Sequence, residues 1–346
     1  MTQNNTLSTW LFTCCGMIFV MVLVGAITRL TESGLSMVEW RAMIDMLPPL
    51  SDNAWQAEFA KYQLTPEYIQ KNAGMGLESF KQIYFWEWFH RLWGRLIGLV
   101  YVLPHVYFWV RGMIPLHLKP RFMGFLLLGG LQGFLGWYMV KSGLVNEPRV
   151  SHYRLALHLG TAFLIFGLLW AQALLLWPRF TNALAQHAPT RAQIAMLRPH
   201  ALIAFVVLVL TILWGAFVAG LDAGLIYNEF PTMGGKWFPS EGWFQSPWWI
   251  NFFDNHATVQ WTHRVLATLA FIVVFSLGLR GIWTQQFILK KLGHALAGMV
   301  FLQMVLGIVT LLTQVQVHVA VTHQAGALVL FGLVITQLVV LRLPLP

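Results

Sequence analysis

Residues 292–341 read LGHALAGMVFLQMVLGIVTLLTQVQVHVAVTHQAGALVLFGLVITQLVVL, fifty consecutive positions without Asp, Glu, Lys or Arg. A helix crossing a bilayer needs about 20 apolar residues. The stretch therefore predicts two spans joined by a short polar turn around Gln314–His318. The same signal recurs at Trp10–Thr28, Phe122–Val140, Leu155–Trp177 and Pro199–Leu221, and two further spans begin near Leu92 and Val265. Of the 346 residues, 57% are hydrophobic and 10% charged, where a soluble domain carries roughly 25% charged residues. The expected fold is an all-α integral membrane protein with eight transmembrane helices. The first span lacks a basic leader and a small-residue cleavage site, so it reads as a retained span, and a bacterial chain rather than an organellar precursor is expected.

The net charge of +9 is distributed by loop and is no sign of nucleic-acid binding. Arg111, Lys119 and Arg121 lie between spans 2 and 3, Arg179, Arg191 and Arg198 between 4 and 5, and Arg280, Lys290 and Lys291 between 6 and 7. The 5–6 loop sets Lys236 against Asp222, Glu229, Glu241 and Asp254, and the 7–8 loop has no Lys or Arg. The positive-inside rule places both termini in the cytoplasm and the loops after spans 1, 3, 5 and 7 outside. Cys14 and Cys15, the only cysteines, are adjacent within the first span. They read as small apolar core residues rather than a metal-spaced pair or a disulfide.

The halves of the chain repeat one another. GAITRLTESGL (25–35) matches GAFVAGLDAGL (215–225) at an offset of 190, and WFHR (88–91) matches WTHR (261–264) at 173. LQGFLG (131–136) matches LQMVLG (302–307) at 171, and LHLGTA (157–162) matches THQAGA (322–327) at 165. The order is kept while the loops differ. Four helices per half give both halves the same orientation, so two tandem four-helix bundles related by a pseudo-twofold axis along the membrane normal are expected. Residues 1–178 would form the first bundle with a long outer loop, 179–198 a cytoplasmic linker, and 199–346 the second bundle.

Of twelve histidines, His90, His158, His263 and His323 fall at repeat-equivalent places where the even-numbered spans enter from outside. Ionisable residues at such depth are functional candidates. Two imidazoles opposed inside a helical bundle suit the two axial positions of a haem iron. His105 lies fifteen residues beyond His90, roughly 22 Å deeper along a helix, and cannot serve the same site. His117, His187, His200 and His294 fall on the cytoplasmic side, and His152, His256 and His318 lie in outer loops or helix mouths without clear counterparts. Arg91 and Arg264 follow the candidate ligands and Arg29 sits in the outer mouth of span 1, where a guanidinium fork can bond a propionate. The alternative for each arginine is interfacial snorkelling. The halves differ at one telling position, Glu87 in the first against Gln260 in the second. A carboxylate beside one cofactor site and not the other suggests chemistry at the first and electron transfer at the second. An ion pair of Glu87 with Arg91 or Arg29 is the plainer reading.

GAITRLTESGLSMVEW (25–40), EWFHRLWGRLIGLVY (87–101), GWYMVKSGL (136–144), PRVSHYRLALHLG (148–160), AGLDAGLIYNEFPTMGGKWFP (219–239), VQWTHR (259–264) and THQAGA (322–327) resemble the haem A synthase family, in its proteobacterial and mitochondrial branch, over nearly the whole chain. The resemblance implies oxidation of the ring methyl of haem O to the formyl group of haem A, by successive hydroxylations and dehydration of a geminal diol, with oxygen from water. It implies that His263 and His323 hold a resident haem b, that His90 and His158 flank the substrate haem O, and that Glu87 is the catalytic carboxylate. Implied partners are haem O, the farnesyltransferase that makes it (haem O synthase), cytochrome oxidase assembly factors, an electron acceptor and membrane lipid, with room for a homo-oligomer and none for nucleic acid. The implied location is the bacterial inner membrane, with the haem sites toward the periplasm. Some relatives carry an outer-loop cysteine pair that this chain lacks, so a mechanism requiring that pair does not apply. The alternatives are a di-haem b, quinol-linked electron-transfer cytochrome without chemistry on the haem, and a secondary transporter or haem exporter.

Overall fold

The computed structural model describes residues 3–39, 46–143 and 148–342. Trp40 and Leu144 of the quoted motifs, part of the first outer loop, and the chain ends assigned to the cytoplasm (1–2 and 343–346) lie outside the described residues. Among the described residues the protein is all-α, its only β feature an isolated bridge between Met233 and Lys236.

The helices are α1 (Gln3–Leu30), α2 (Asp52–Tyr62), α3 (Pro66–Gln70), α4 (Leu77–Val110), α5 (Lys119–Gly143), α6 (His152–Leu176), α7 (Pro178–Gln186), α8 (Arg191–Gly220), α9 (Asn251–Asp254), α10 (His256–Trp283), α11 (Phe287–Leu312) and α12 (Val317–Val340). Among the described residues seven stretches are long and apolar enough to cross a membrane: α1, Leu116–Lys141 (most of α5), α6, α8, α10, α11 and α12. Large apolar side chains exposed along them, such as Ile203, Ile272 and Phe301, suit a lipid surroundings rather than water. The eighth long helix, α4, falls outside that set. Over its 34 residues it carries Glu78, Lys81, Glu87, Arg91 and Arg95, then Pro104 and His105.

Local chemistry sets where several helices begin. Thr190 and Gln193 form a reciprocal capping box that starts α8 eight residues before Pro199, satisfying two otherwise orphaned N–H groups. The Asn255 side chain accepts from the Ala257 and Thr258 amides and starts α10, before rather than after the Trp-Thr-His-Arg motif. Thr65 starts α3, its Oγ1 accepting from the Tyr68 amide, with Pro66 in the first turn. Helix α4 begins at Leu77, well before the span expected near Leu92, and its first turn has no side-chain cap. Tertiary packing holds that extension instead. Phe80 and Tyr84 of α4 join Met37 and Tyr62 in a buried cluster edged by Trp55, Phe59, Tyr68 and Trp88. The first outer loop thus carries a small aromatic core of its own.

The chain divides into two compact units, residues 17–162 and residues 1–16 with 163–346. In the first, α4 packs on α5 and α2 packs on α4. In the second, α10 lies between α8 and α11, and α12 packs on α11 and α8. The α10–α11 crossing is very close, since a Cβ on Gly278 would lie 2.8 Å from the Gly293 carbonyl oxygen. Cys14 and Cys15 are buried, free thiols within α1.

Candidate haem sites

Each unit holds a pair of the predicted histidines. In residues 17–162, His90 on α4 and His158 on α6 lie within electrostatic reach of each other, and His263 on α10 and His323 on α12 do so in the other unit. His158, His263 and His323 sit in the second turn of their helices, whereas His90 lies deeper into α4 because that helix extends outward. All four rings are half-buried. Each leans on a glycine of a neighbouring helix. A Cβ would come 3.4 Å from His90 at Gly25, 3.1 Å from His158 at Gly136, 3.1 Å from His263 at Gly215 and 2.9 Å from His323 at Gly307. Gly25 and Gly215 are repeat equivalents, as are Gly136 and Gly307. The glycine contact is thus repeated at all four rings; at Gly25 the atom met is Nε2 of His90, and at the other three glycines it is the carbon between the ring nitrogens.

Hydrogen bonds orient the rings. His263 Nδ1 lies 3.1 Å from the Thr211 carbonyl oxygen. A carbonyl only accepts, so Nδ1 carries the proton and Nε2 keeps the lone pair a metal needs. His158 and His323 instead meet glutamines at repeat-equivalent places. Gln132 Nε2 lies 3.2 Å from His158 Nδ1 and donates to the His158 carbonyl at 3.1 Å. Gln303 Nε2 lies 3.2 Å from His323 Nδ1 and donates to the His323 carbonyl at 2.9 Å.

The arginines repeat as well. Arg91 donates to the carbonyls of Met37 at 3.0 Å and Glu39 at 2.9 Å. Arg264 donates to the carbonyls of Tyr227 and Thr232, both at 2.9 Å. Met37 and Tyr227 are separated by the same 190 positions as the GAITRL and GAFVAG motifs. Arg264 Nε is buried with no hydrogen-bond partner, a donor still open to an anion such as a propionate. Arg29 is half-buried in the last turn of α1.

Glu87 and Gln260 diverge where the frames agree. Both are buried. Glu87 Oε1 accepts from Arg91 at 2.6 Å, and Oε2 accepts from the Met37 amide at 2.7 Å and bonds Ser36 Oγ at 2.8 Å. Gln260 keeps the contact with its arginine, Oε1 accepting from Arg264 at 3.4 Å, but donates through Nε2 to the Tyr227 carbonyl at 3.1 Å. The first site therefore holds a carboxylate fixed by its outer loop, and the second a neutral amide. The expected pair of Glu87 with Arg91 is present, as is the asymmetry. The glutamines and the Ser36–Met37 clamp were not singled out from the sequence, although LQGFLG and LQMVLG carry Gln132 and Gln303 at matching offsets.

Two of the other histidines are engaged elsewhere. His200 bonds the Val273 carbonyl and Arg280, and His105 stacks between Tyr101 and Trp109. Among the described residues no three or more His, Cys, Asp or Glu side chains converge, so no protein-only metal cage is assembled there. Paired, half-buried imidazoles suit an iron that already holds four equatorial nitrogens. The residues present therefore fit haem in both units.

The cytochrome oxidase assembly protein family, COX15-CtaA, matches residues 8–335. The heme A synthase of Rhodospirillum centenum is 51% identical over 342 residues, covering 98% of this chain and 89% of the relative. That of Nitrosospira multiformis is 45% identical over 336 residues, covering 95% and 91%, and that of Agrobacterium fabrum 43% identical over 339 residues, covering 95% and 88%. With matches of this identity along nearly its whole length, the chain belongs to the COX15-CtaA family of cytochrome oxidase assembly proteins, among the heme A synthases.

Proposed function

We propose that this protein is a haem A synthase of the bacterial inner membrane, an oxidoreductase that converts the ring methyl of haem O to a formyl group for aa3-type terminal oxidases. The observation that carries the reading is the duplicated histidine–glycine–arginine frame, with a clamped carboxylate in one copy and an amide in the other. On this reading the frame reflects two tandem four-helix bundles, α1, α4, α5 and α6 in one half and α8, α10, α11 and α12 in the other, related by a pseudo-twofold axis. Helix α4 is then the eighth span. Its 34 residues amount to about 51 Å, enough for the outer extension and a crossing. Both termini lie in the cytoplasm and both haem sites toward the periplasm.

His263 and His323 would hold a resident haem b, and Arg264 would offer its unused Nε to a propionate. When bound, that haem supplies one-electron transfer. His90 and His158 flank the substrate haem O in the first half, with Arg29 and Arg91 on its propionate side. Converting a methyl to a formyl group with water as the oxygen source releases protons as well as electrons. Glu87, buried and fixed by Ser36, Met37 and Arg91, is the group placed to accept protons near the substrate edge. The electrons leave to a separate acceptor, and haem O arrives from its farnesyltransferase. Oxidase assembly factors receive the product, and a homo-oligomer is compatible with this scheme.

Expression in a host that makes only haem B, with and without a haem O-producing farnesyltransferase, tests the function. Haem extraction followed by reverse-phase analysis is expected to yield haem A only when the farnesyltransferase is present. Bound haem B and no haem A, with haem O present in a folded protein, would instead favour a di-haem electron-transfer cytochrome.

A further inference from the structure

Two glutamines stand beside candidate ligands with complementary deficits in hydrogen bonding. Gln132 Oε1 and Gln303 Oε1 are buried and have no hydrogen-bond partner, which is unusual for buried carbonyl oxygens. In both places the amide nitrogen, a donor, is the end that faces the histidine, 3.2 Å from Nδ1 of His323 and, at His158, 3.2 Å from Nδ1 and 3.4 Å from Nε2. An imidazole that gives Nε2 to iron must carry its proton on Nδ1, and that N–H needs an acceptor. His263 has one in the Thr211 carbonyl. For His158 and His323, the orphaned oxygen of the same glutamine is the acceptor within reach. Turning the amide end for end about its last bond exchanges Oε1 and Nε2 and gives the Nδ1–H its acceptor, at the cost of the amide's bond to the histidine's own carbonyl. In the second half the chain leaves room for that side chain, since a Cβ at Gly326 would collide with Gln303 Oε1.

We propose that Gln132 and Gln303 are positioning residues whose side-chain oxygens accept the Nδ1–H of His158 and His323 once Nε2 of each ring is bound to haem iron. The inference rests on the haem-ligand reading above and adds to it the residue that fixes ring orientation and ligand basicity. An acceptor on Nδ1–H makes the imidazole a stronger donor to iron and favours the ferric state, so it lowers the haem midpoint potential.

The experiment is a redox titration of the resident haem b, with low-temperature EPR of its ferric low-spin signal, on full-length purified protein. Parent, Gln303→Leu, Gln303→Glu and His323→Ala are compared. Gln303→Leu removes the acceptor and is expected to raise the midpoint potential and shift the low-spin signal. Gln303→Glu keeps an acceptor and is expected at or below the parent potential. A purely structural role would move both variants the same way. An unchanged potential in Gln303→Leu, or an equal rise in both variants, overturns the proposal while leaving the ligand reading intact. A low-spin spectrum that survives His323→Ala overturns the ligand reading and the proposal with it. Gln303→Glu keeps the test decisive if Gln303→Leu fails to incorporate haem.

Discussion

The Ser36 hydroxyl lies 2.8 Å from Oε2 of Glu87, across 51 residues of chain, and the next backbone amide, Met37, donates to the same oxygen at 2.7 Å. The loop between α1 and α4 thus reaches the one carboxylate that distinguishes the halves. Ser36 Oγ is also 2.9 Å from the Ser33 carbonyl, so its single proton can be given to either oxygen. When Glu87 is a carboxylate, Ser36 donates to it. When Glu87 carries a proton, Ser36 can accept and turn its own O–H to Ser33. The Ser36→Ala variant loses that adaptability and a hydrogen bond to a charged group worth about 1.5–3 kcal/mol. Haem A yield is expected to fall by roughly tenfold or more, with resident haem b unchanged. Haem extraction and the reduced-minus-oxidised spectrum read both quantities, and a normal yield would remove Ser36 from the mechanism.

The Glu87→Gln substitution makes the first half resemble the second, where Gln260 occupies the equivalent place. The fold should survive, because the amide is isosteric, although the Met37 amide keeps an acceptor only if the carboxamide oxygen faces it. Little haem A is expected, together with a full low-spin haem b signal. Product formation at the parental rate would refute a proton-accepting role for Glu87.

Much of this arrangement is legible in the sequence because it is local or repeated. Uncharged length gives the spans, the Thr65 start of α3 follows from side-chain capping, and the His-Arg pairs keep their spacing. What is not legible depends on contacts between distant segments. Nothing in Leu77–Trp86 caps a helix start; α4 begins there because Phe80 and Tyr84 pack with Met37 and Tyr62. The clamp on Glu87 likewise joins residues about 50 positions apart through a loop without periodicity. The glutamines carry a signal, the shared LQ dipeptide, but only their placement over the rings reveals what it is for. By composition α4 is the weakest of the eight expected spans, since it also has to carry the charged side chains of a site.

The glycine contacts predict a graded response to one added methyl group. At Gly307 a Cβ would lie 2.9 Å from His323, while at Gly25 it would lie 3.4 Å from His90. The first distance forces the ring to move and the second is near ordinary contact. Overpacking of this kind costs about 1–3 kcal/mol. Gly307→Ala is therefore expected to lower resident haem content or broaden its low-spin spectrum, whereas Gly25→Ala, beside His90 in the other half, is the control that should leave haem b intact. Haem-to-protein ratios by pyridine haemochrome assay distinguish the two, and equal ratios would show that the ring position is not set by these glycines.

The outer loop should respond to pH through Glu67. Burial raises its carboxyl to about 7, with the charges of Glu87 and Glu32 adding to the rise and the Tyr62 hydroxyl and Lys71 opposing it. The Tyr62 hydroxyl lies 3.1 Å from the carboxylate and accepts from Asn72 at 2.7 Å. A folded-state value above the unfolded one means that the folded loop binds the proton more tightly. The stability so contributed is complete below the ordinary carboxylate range and is lost as pH rises through about 7. The difference is on the order of 2–3 kcal/mol. Hydrogen–deuterium exchange, corrected for intrinsic rates, should show protection of residues 52–72 falling between about pH 5 and pH 8. Glu67→Gln removes the titrating group and should flatten that dependence while keeping the loop folded. Protection that stays constant in the parent protein over this interval would mean that Glu67 remains ionised inside the loop, with its charge balanced by the neighbouring Lys71.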